Sequence, residues 1–289
     1  MTRLLLFGGS GQLGTAIRAQ SDGQFDIDAP DSSVLDISRA DDITAYVQQS
    51  CPNIIVNAAG YTRVDDAESD RDEAFRINAV APGAMAAAAR LAGARLVHVS
   101  SDYVFDGSGP HPYRTNSPTH PLGVYGESKL AGEVAVAAAD PAAITVRTAW
   151  VHSGGGVNFV AKAVQLLSGG TSMQVVDDQV GTPTRAANLA RAVLMLAARR
   201  DVSGLMHFTD AGVGSWYDVA CCVLETLAGA GRAPDGVRVS PVDSAAFRRP
   251  AKRPPVSILD THEARRVLGW TPPHWREGVR ASTLELLHA

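Results

Sequence analysis

A glycine-rich turn near the start of this 289-residue chain most narrowly limits what it can fold into. A short apolar run, Arg3–Phe7, leads into the turn Gly8–Gly14, and an amphipathic pattern follows it. Strand, glycine turn and helix in this order are the context in which a dinucleotide fingerprint binds a pyrophosphate. The glycines allow a tight turn, and the helix N-terminus offers free N–H groups to the phosphates. The spacing fits Gly-x-Gly-x-x-Gly and Gly-x-x-Gly-x-x-Gly equally, and a plain turn is the alternative.

An acidic residue after the second strand would hold the adenosine ribose, roughly 20 residues beyond the glycines. Asp31, just past the second apolar run, is the candidate, and a solvated loop acid is the alternative. An arginine after it would favour a 2′-phosphate. Ser32 and Ser33 stand there instead, which favours NADH or tolerance of both cofactor forms. Asp36 either faces the adenine or caps the helix that follows.

Strand-like and helix-like segments alternate as far as residue 150, which predicts an α/β fold with a doubly wound parallel sheet, the Rossmann type. We predict a dinucleotide-binding domain over residues 1–150 and a smaller, mainly substrate-binding part over 151–289. Part of the segment 185–210 returns to the first domain. A long helix is expected from about residue 70 to 92, with Pro82 able to kink it. Asn78 within it is interpreted as an exposed helix residue.

A tyrosine and a lysine are the candidates for acid–base chemistry. Tyr125 and Lys129 lie four residues apart, which places them on one face of a helix. A nearby ammonium lowers the pKa of a phenol, which suits the tyrosine to proton transfer. Ser101 ends the strand-like run Arg95–Ser101 and can place its hydroxyl beside the same substrate oxygen. A surface helical pair is the alternative interpretation.

Bulk properties narrow the functional class. A net charge of −4 is atypical of nucleic-acid-binding proteins. No run of about 18 apolar residues is present, so no membrane span is expected. The N-terminus lacks a signal-peptide pattern, which predicts a cytoplasmic protein. Cys51, Cys221 and Cys222 form no disulfide framework and are expected to be small buried side chains, and the scattered histidines predict no metal.

Two features beyond the first domain are candidates for substrate contact. Trp150, at the end of a strand-like run, can stack on a sugar or base, and core packing is the alternative. The proline-punctuated loop 247–255 carries several cations that can receive a diphosphate, because guanidinium forks match phosphate oxygens. A solvated loop is the alternative. The cations of this loop are Arg248, Arg249, Lys252 and Arg253.

Seven short motifs occur along the chain in a fixed order. They are Gly-x-x-Gly-Gln-Leu-Gly, Asn-Ala-Ala-Gly-Tyr-Thr-x-Val-Asp-x-Ala-Glu, Ser-Ser-Asp-Tyr-Val-Phe-Asp-Gly, Tyr-Gly-x-x-Lys, Arg-Thr-Ala-Trp, Asp-Gln-x-Gly-Thr-Pro-Thr and Ser-Ile-Leu-Asp-Thr. This string resembles the dTDP-4-dehydrorhamnose reductase (RmlD-type) branch of the extended short-chain dehydrogenases, over nearly the whole chain. The resemblance implies that NADPH or NADH reduces the C4 keto group of a dTDP-4-keto-6-deoxy sugar, most directly dTDP-4-dehydro-L-rhamnose, for cell-surface polysaccharide biosynthesis.

The resemblance also assigns roles to residues. Tyr125 is the proton donor, Lys129 holds the nicotinamide ribose and lowers the pKa of the tyrosine, and Ser101 bonds the substrate oxygen. The resemblance, together with the glycine turn and the small residues that end the third strand, predicts a set of cofactor-binding residues. They are Gly8, Gly11, Gln12, Leu13, Gly14, Asp31, Asp36, Ile37, Ala58, Ala59, Gly60, Tyr61, Thr62, Tyr125 and Lys129. The predicted substrate-binding residues are Val64, Ser101, Asp102, Tyr103, Tyr125, Trp150 and Arg253.

Two positions depart from the family pattern. Some members carry a Glu that helps bind Mg²⁺ at a dimer contact, where this chain has Ala16, so we predict no metal and leave a homodimer open. His152 stands where a Tyr or Phe is common, which leaves the sugar open. Another nucleotide-sugar 4-ketoreductase or epimerase is one alternative function. A non-catalytic, cofactor-binding regulatory subunit is the other, although the intact Ser101, Tyr125 and Lys129 set argues against it.

Overall fold

The computed structural model describes residues 1–21, 23–109 and 112–288. Its strands are β1 (Thr2–Phe7), β2 (Phe25–Asp28), β3 (Ile54–Asn57), β4 (Arg95–Ser101), β5 (Ile144–Thr148), β6 (Val151–His152), β7 (Met173–Val176), β8 (Val180–Gly181), β9 (Thr184–Arg185), β10 (Gly204–His207), β11 (Gly214–Ser215) and β12 (Val239–Val242). Its α-helices are α1 (Gln12–Ala19), α2 (Ala40–Ser50), α3 (Arg71–Phe75), α4 (Ala81–Ala92), α5 (Val124–Ala139), α6 (Phe159–Ser168), α7 (Ala186–Ala197), α8 (Trp216–Gly229), α9 (His262–Leu268) and α10 (Trp275–His288).

A six-stranded parallel sheet forms the centre of the molecule, in the order β2-β1-β3-β4-β5-β10. Alternate residues of β1 enter two different cores: Leu4 and Leu6 face α1 and α7, whereas Leu5 and Phe7 face α2 and α4. A strand that is buried on both faces requires helices on both sides, as in a doubly wound fold. The predicted fold class is therefore confirmed. The strand order reverses between β1 and β3, and open sheets of this type bind ligands at the carboxyl ends of the strands beside that point.

The predicted long helix runs without a break from Arg71 to Ala92 and widens just before Pro82. Helix α3 passes into a π-helical segment, Arg76–Val80, and Pro82 occupies the first turn of α4. Ala81 N still donates to Arg76 O, so the backbone stays helical here, and the extra residue of the π-turn accommodates a proline, which has no N–H to donate. The predicted kink at Pro82 is thus replaced by a wider turn just ahead of it. This wider turn contains Asn78, which is fully buried, so its interpretation as an exposed residue is wrong.

The segments after residue 150 divide between two cores. Helices α6, α8 and α10 surround a separate apolar cluster that includes Trp275. Helix α7 and strand β10 pack with the central sheet instead, and so does α9. The domain boundary at residue 150 stays a prediction. No helix in the described part of the chain is long and apolar enough to cross a membrane. The cysteines are free, and Cys51 is exposed rather than buried as predicted.

Candidate active site

The glycine turn forms a cradle that only glycine can build. Gly8 has a φ of +80°, and a Cβ there would lie 2.6 Å from the Ala59 nitrogen. A Cβ on Gly14 would lie 2.1 Å from the Gly8 carbonyl oxygen. Gly11 precedes α1 and supplies no capping side chain, so the first N–H groups of the helix stay available for an anion. This geometry fits a dinucleotide pyrophosphate.

Replacing Gly14 by Ala is expected to lower the free energy of unfolding by about 1–3 kcal/mol, because the added methyl meets backbone that cannot move aside. We also expect measurable loss of cofactor binding in a fluorescence titration. Gly155→Ala is the matched control, since a Cβ there meets nothing within 4 Å. It should change stability by no more than about 0.5 kcal/mol. Equal effects in the two variants would contradict the cradle.

Two further residues of the glycine turn were predicted to contact the cofactor, and they differ in how deeply they are buried. Leu13 is buried in the core beside Ile17, so its side chain is structural, whereas Gln12 is partly exposed. The Gln12 Oε1 accepts a hydrogen bond from Ser153 Oγ at 3.0 Å. Gln12 thereby connects the cofactor turn to the segment that follows the sheet.

Two acids follow the second strand. The Asp31 carboxylate is exposed and accepts hydrogen bonds from Ser33 N (2.9 Å) and Ser33 Oγ (2.5 Å), which hold its pKa below the ordinary value. It is therefore ionised at neutral pH, and its role as the ribose acceptor stays a prediction. Asp36 accepts from Ser38 N at 2.9 Å, and residue Arg39 occupies the cap position of α2 without a side-chain cap bond. The alternative in which Asp36 caps this helix is wrong, because a local turn uses its carboxylate. Ile37 is half-buried against the core of α2 and α4.

A loop after β3 carries the next predicted residues, and Asn78 holds it. Asn78 Oδ1 accepts from Tyr61 N at 2.8 Å, and its Nδ2 donates to Tyr61 O and to Ser128 Oγ, both at 3.0 Å. Ser128 Oγ in turn donates to the Tyr125 carbonyl at 2.8 Å. Asn78 thus fixes the loop against α5, the helix of the tyrosine and lysine. Asn78 lies four residues after Ala74 and four before Pro82, so helical periodicity could have placed it on the buried face.

The predicted residues of that loop fall into two groups. Ala58 and Ala59 are half-buried and Gly60 is exposed, so this backbone is open to a ligand. The Tyr61 ring is buried, and its hydroxyl donates to Asp70 Oδ2 at 3.1 Å. Thr62 is exposed, and Val64 is half-buried.

The candidate catalytic residues meet at the end of β4 and the first turns of α5. The Ser101 hydroxyl faces the Tyr125 phenol closely enough to lower the pKa of that phenol. Ser101 Oγ also donates to Asp102 Oδ1 at 3.1 Å, and Ser257 Oγ donates to Asp102 Oδ2 at 2.5 Å. The Tyr103 ring meets the Tyr125 ring edge-on, with centroids 5.4 Å apart. Ser257, from the far end of the sequence, was not among the predicted residues.

The environment of Tyr125 corrects one expectation. Burial, aided by the Asp102 carboxylate, raises the pKa of the Tyr125 phenol to about 12, against the lowering effect of the Ser101 hydroxyl. The prediction that the Lys129 ammonium lowers this pKa is therefore wrong for the cofactor-free chain. Lys129 Nζ donates to the Val99 carbonyl at 2.7 Å, and burial lowers the pKa of Lys129 to about 8. A phenol that is neutral at pH 7 is suited to giving a proton away.

Burial raises the pKa of Asp102 to about 6, although the hydrogen bonds from Ser257 and Ser101 oppose the shift. The folded chain therefore binds this proton more tightly than the unfolded chain. The stability that Asp102 contributes is highest below about pH 4 and declines by about 3 kcal/mol as the pH rises past about 6. Asp102→Asn should remove this part of the decline in urea unfolding curves. Asp210, whose pKa burial also raises to about 6, remains in both proteins, so the difference between them isolates Asp102. Parallel pH profiles would contradict the assignment.

A buried ion pair lies directly behind this site. Arg147 Nη2 on β5 donates to Glu133 Oε2 on α5 at 2.6 Å, and both side chains are less than a tenth exposed. Ser100 Oγ donates to Glu133 Oε1 at 2.6 Å. Because Ser100 adjoins Ser101 and Glu133 lies one turn after Lys129, this pair joins the two catalytic elements. It was not recognised in the sequence.

The structure places the predicted substrate residues as follows. Trp150 is half-buried and borders a cavity of about 210 Å³ together with Gln12 and Thr62. Arg253 forms two hydrogen bonds to Asp65, at 2.9 and 3.1 Å. His152 also borders the cavity, but its ring is buried and its Nδ1 lies 3.1 Å from Ser282 Oγ on α10.

Among residues 1–21, 23–109 and 112–288, no group of three or more His, Cys, Asp or Glu side chains is arranged to hold a metal ion. The site is instead built from a glycine cradle, a half-buried tyrosine, a buried lysine and an aromatic wall. The chain matches the family model of the RmlD substrate binding domain over residues 1–287. The chain belongs to this family. The resemblance inferred from the motifs is confirmed.

Named relatives of the RmlD family cover nearly the whole chain. The dTDP-4-dehydrorhamnose reductase of Mycobacterium tuberculosis (strain H37Rv) is 43% identical over 285 residues, covering 96% of this chain and 91% of its own length. A probable dTDP-4,6-dihydroxy-2-methyloxan-3-one 4-ketoreductase of Streptomyces antibioticus is 38% identical over 290 residues, covering 99% of this chain and 96% of its own length. The crystal structure of dTDP-4-dehydrorhamnose reductase from Bacillus anthracis in complex with NADP superposes with a TM-score of 0.91 at 34% identity, covering 99% of this chain and 100% of that one.

Proposed function

We propose that this chain is a dTDP-4-dehydrorhamnose reductase that uses NADPH or NADH to reduce the C4 keto group of dTDP-4-dehydro-L-rhamnose, giving dTDP-L-rhamnose. The observation that carries the proposal is the set of a half-buried Tyr125 with the buried Ser101 and Lys129, together with a glycine cradle, in a member of the RmlD family. The product would feed the synthesis of rhamnose-containing cell-surface polysaccharides.

Each catalytic residue has a role that its surroundings support. A bound NAD(P)H would supply the hydride that reduces the carbonyl carbon. Tyr125 supplies the proton to the carbonyl oxygen, and burial keeps its phenol protonated until charge develops there. Lys129 donates one N–H to the Val99 carbonyl, so its other two N–H groups can bind the nicotinamide ribose.

Ser101 and Asp102 are proposed to steady the substrate oxygen. A serine hydroxyl has one hydrogen, and Asp102 accepts it in this structure. The hydroxyl must therefore rotate to donate to the substrate oxygen. Tyr103 N donates to Ser101 Oγ at 3.2 Å, which holds the oxygen in place while its hydrogen turns. Once it has turned, the hydroxyl donates to the oxygen on which negative charge develops, and this lowers the barrier.

Arg253 is proposed to bind the nucleotide diphosphate. Its guanidinium is four-fifths buried and is held by Asp65, which also accepts from Ala251 N at 3.2 Å. Arg249 lies 3.7 Å from the same carboxylate. Asp65 thus orders the basic loop 247–255 around a fixed Arg253 guanidinium. A diphosphate carries more negative charge than the single Asp65 carboxylate, so the cations of this loop can bind it as well.

The test follows the absorbance of NADH and, separately, NADPH in the presence of dTDP-4-dehydro-L-rhamnose generated in situ. We expect rapid cofactor oxidation with dTDP-L-rhamnose as the product. The rates with the two cofactors show which of them Asp31 and Ser32 permit. A chain that binds cofactor in a titration and oxidises neither form would overturn the proposed reaction.

A second candidate is a 4-ketoreductase that acts on another dTDP sugar. The Streptomyces antibioticus relative, which is named for such an activity, favours it. The buried His152, where a Tyr or Phe is common, also bears on the choice of sugar. A panel of dTDP-4-keto sugars differing at C2 and C3 separates the two candidates by kcat/KM.

A homodimer and a cytoplasmic location stay predictions. Three exposed apolar side chains on neighbouring helical segments support self-association: Val80, at the end of the π-helical segment, Leu91 on α4 and Val134 on α5. Burying these exposed side chains against a second copy would remove apolar surface from water. Light scattering of the purified chain measures the mass, and a monomer at micromolar concentration would refute the dimer.

A further inference from the structure

Trp150 has a backbone conformation that a bulky residue rarely adopts. Its φ is +48°, in the left-handed region. Its carbonyl accepts a hydrogen bond from Thr184 N at 3.2 Å. Left-handed backbone at a large non-glycine residue persists only where the surrounding fold enforces it, and such residues cluster at binding sites. The question is which part of the fold enforces it here.

The indole of Trp150 is enclosed by residues from the second half of the chain. The Trp216 ring stacks on it, with centroids 3.7 Å apart and planes 6° from parallel. Gly181 lies against its edge, where a Cβ would come 2.7 Å from Trp150 Cε2. Direct face-to-face stacking is not the arrangement that aromatic rings prefer. The contact is therefore imposed by the placement of both rings.

Trp216 is itself held rigidly. It is the first residue of α8, whose N-terminus is closed by a reciprocal pair of bonds: Ser215 Oγ accepts from Asp218 N at 3.1 Å, and Asp218 Oδ2 accepts from Ser215 N at 2.8 Å. The Phe159 ring meets Trp216 edge-on at 4.9 Å. All three aromatic residues line the 210 Å³ cavity that Gln12 and Thr62 also border.

We propose that Trp216 is a positioning residue: it holds the strained Trp150 indole in the orientation that packs against the sugar of the substrate. The proposal rests on the proposed function, because it assumes that a nucleotide sugar fills the cavity. Without the stack, the Trp150 side chain can leave this orientation, and the binding surface for the sugar is lost while the catalytic residues stay in place.

Circular dichroism measures the stack without turnover. Two indoles in contact couple their electronic transitions, which gives a pair of circular-dichroism bands. We expect this paired band in the wild type and expect the Trp216→Leu variant to lose it. Trp270→Phe is the matched control, because Trp270 packs on Phe208 away from the cavity. It should keep both the band and the activity. A wild-type chain without the band would overturn the stacked geometry.

Kinetics then test the role. For Trp216→Leu we expect KM for the sugar nucleotide to rise about tenfold, the scale of one lost aromatic contact, with KM for the cofactor unchanged. Trp216→Phe, which keeps a ring, should restore KM to within about threefold of the wild type. If the Leu variant does not fold, Trp216→Met is held to the same criterion. A variant that loses the band and keeps the wild-type KM overturns the positioning role. A wild-type chain that shows the band but does not turn over the sugar overturns the proposed function instead.

Discussion

Replacing Tyr125 by Phe is expected to lower kcat by about 10²–10⁴ and to leave cofactor binding intact. Only the hydroxyl is removed, so the edge-on contact with the Tyr103 ring is kept. The proton must then come from water in a site where Ser101 and Asp102 are both buried. Steady-state rates of cofactor oxidation and a fluorescence titration of cofactor binding measure the two effects separately.

Tyr217→Phe is the matched control for this variant. Tyr217 lies beside Cys221 on α8, and removing its hydroxyl should leave kcat within about twofold of the wild type. An unchanged kcat in Tyr125→Phe would contradict the assigned role and would favour the non-catalytic alternative. A loss of cofactor binding together with activity would show that the phenol holds the cofactor rather than the substrate oxygen.

Local patterns made much of this site predictable. The strand, glycine turn and helix at the N-terminus depend on contacts between near neighbours, such as that between Gly14 and the Gly8 carbonyl. The four-residue spacing of Tyr125 and Lys129 fixes their shared face for the same reason. Alternation of strands and helices was sufficient for the fold class, because a strand buried on both faces needs helices on both sides.

Contacts between distant parts of the chain were not predictable in this way. Ser257 reaches Asp102 across 155 positions, and Trp216 reaches Trp150 only after the chain has folded. Burial sets the direction of the pKa shift of Tyr125, and the spacing of residues in the sequence does not show how deeply a side chain is buried. The prediction therefore overestimated the effect of the Lys129 charge on this pKa. Asn78 was misjudged on its polarity, although it lies four residues from the buried Ala74 and Pro82, which is the spacing of one helix face.

Glu133→Ala is expected to lower the free energy of unfolding by about 3–5 kcal/mol, because it leaves the Arg147 guanidinium buried without its partner. That guanidinium also packs on the Phe105 ring and lies 3.4 Å from His207 Nε2, so water cannot readily replace the carboxylate. Urea unfolding measures the change. Asp201→Ala is the matched control, since it breaks a similar pair with Arg199 that is exposed, and it should cost no more than about 1 kcal/mol.

A further variant separates the effect of the ion pair on stability from its effect on catalysis. A double variant, Glu133→Leu with Arg147→Met, removes both charges and should recover most of the lost stability, because an apolar pair of similar volume needs no compensation. Its kcat should still be reduced, since Ser100 loses the acceptor that fixes the strand end beside Ser101. Full recovery of kcat would show that the ion pair only stabilises the fold. A loss in Glu133→Ala no larger than that in Asp201→Ala would show that water reaches the pair.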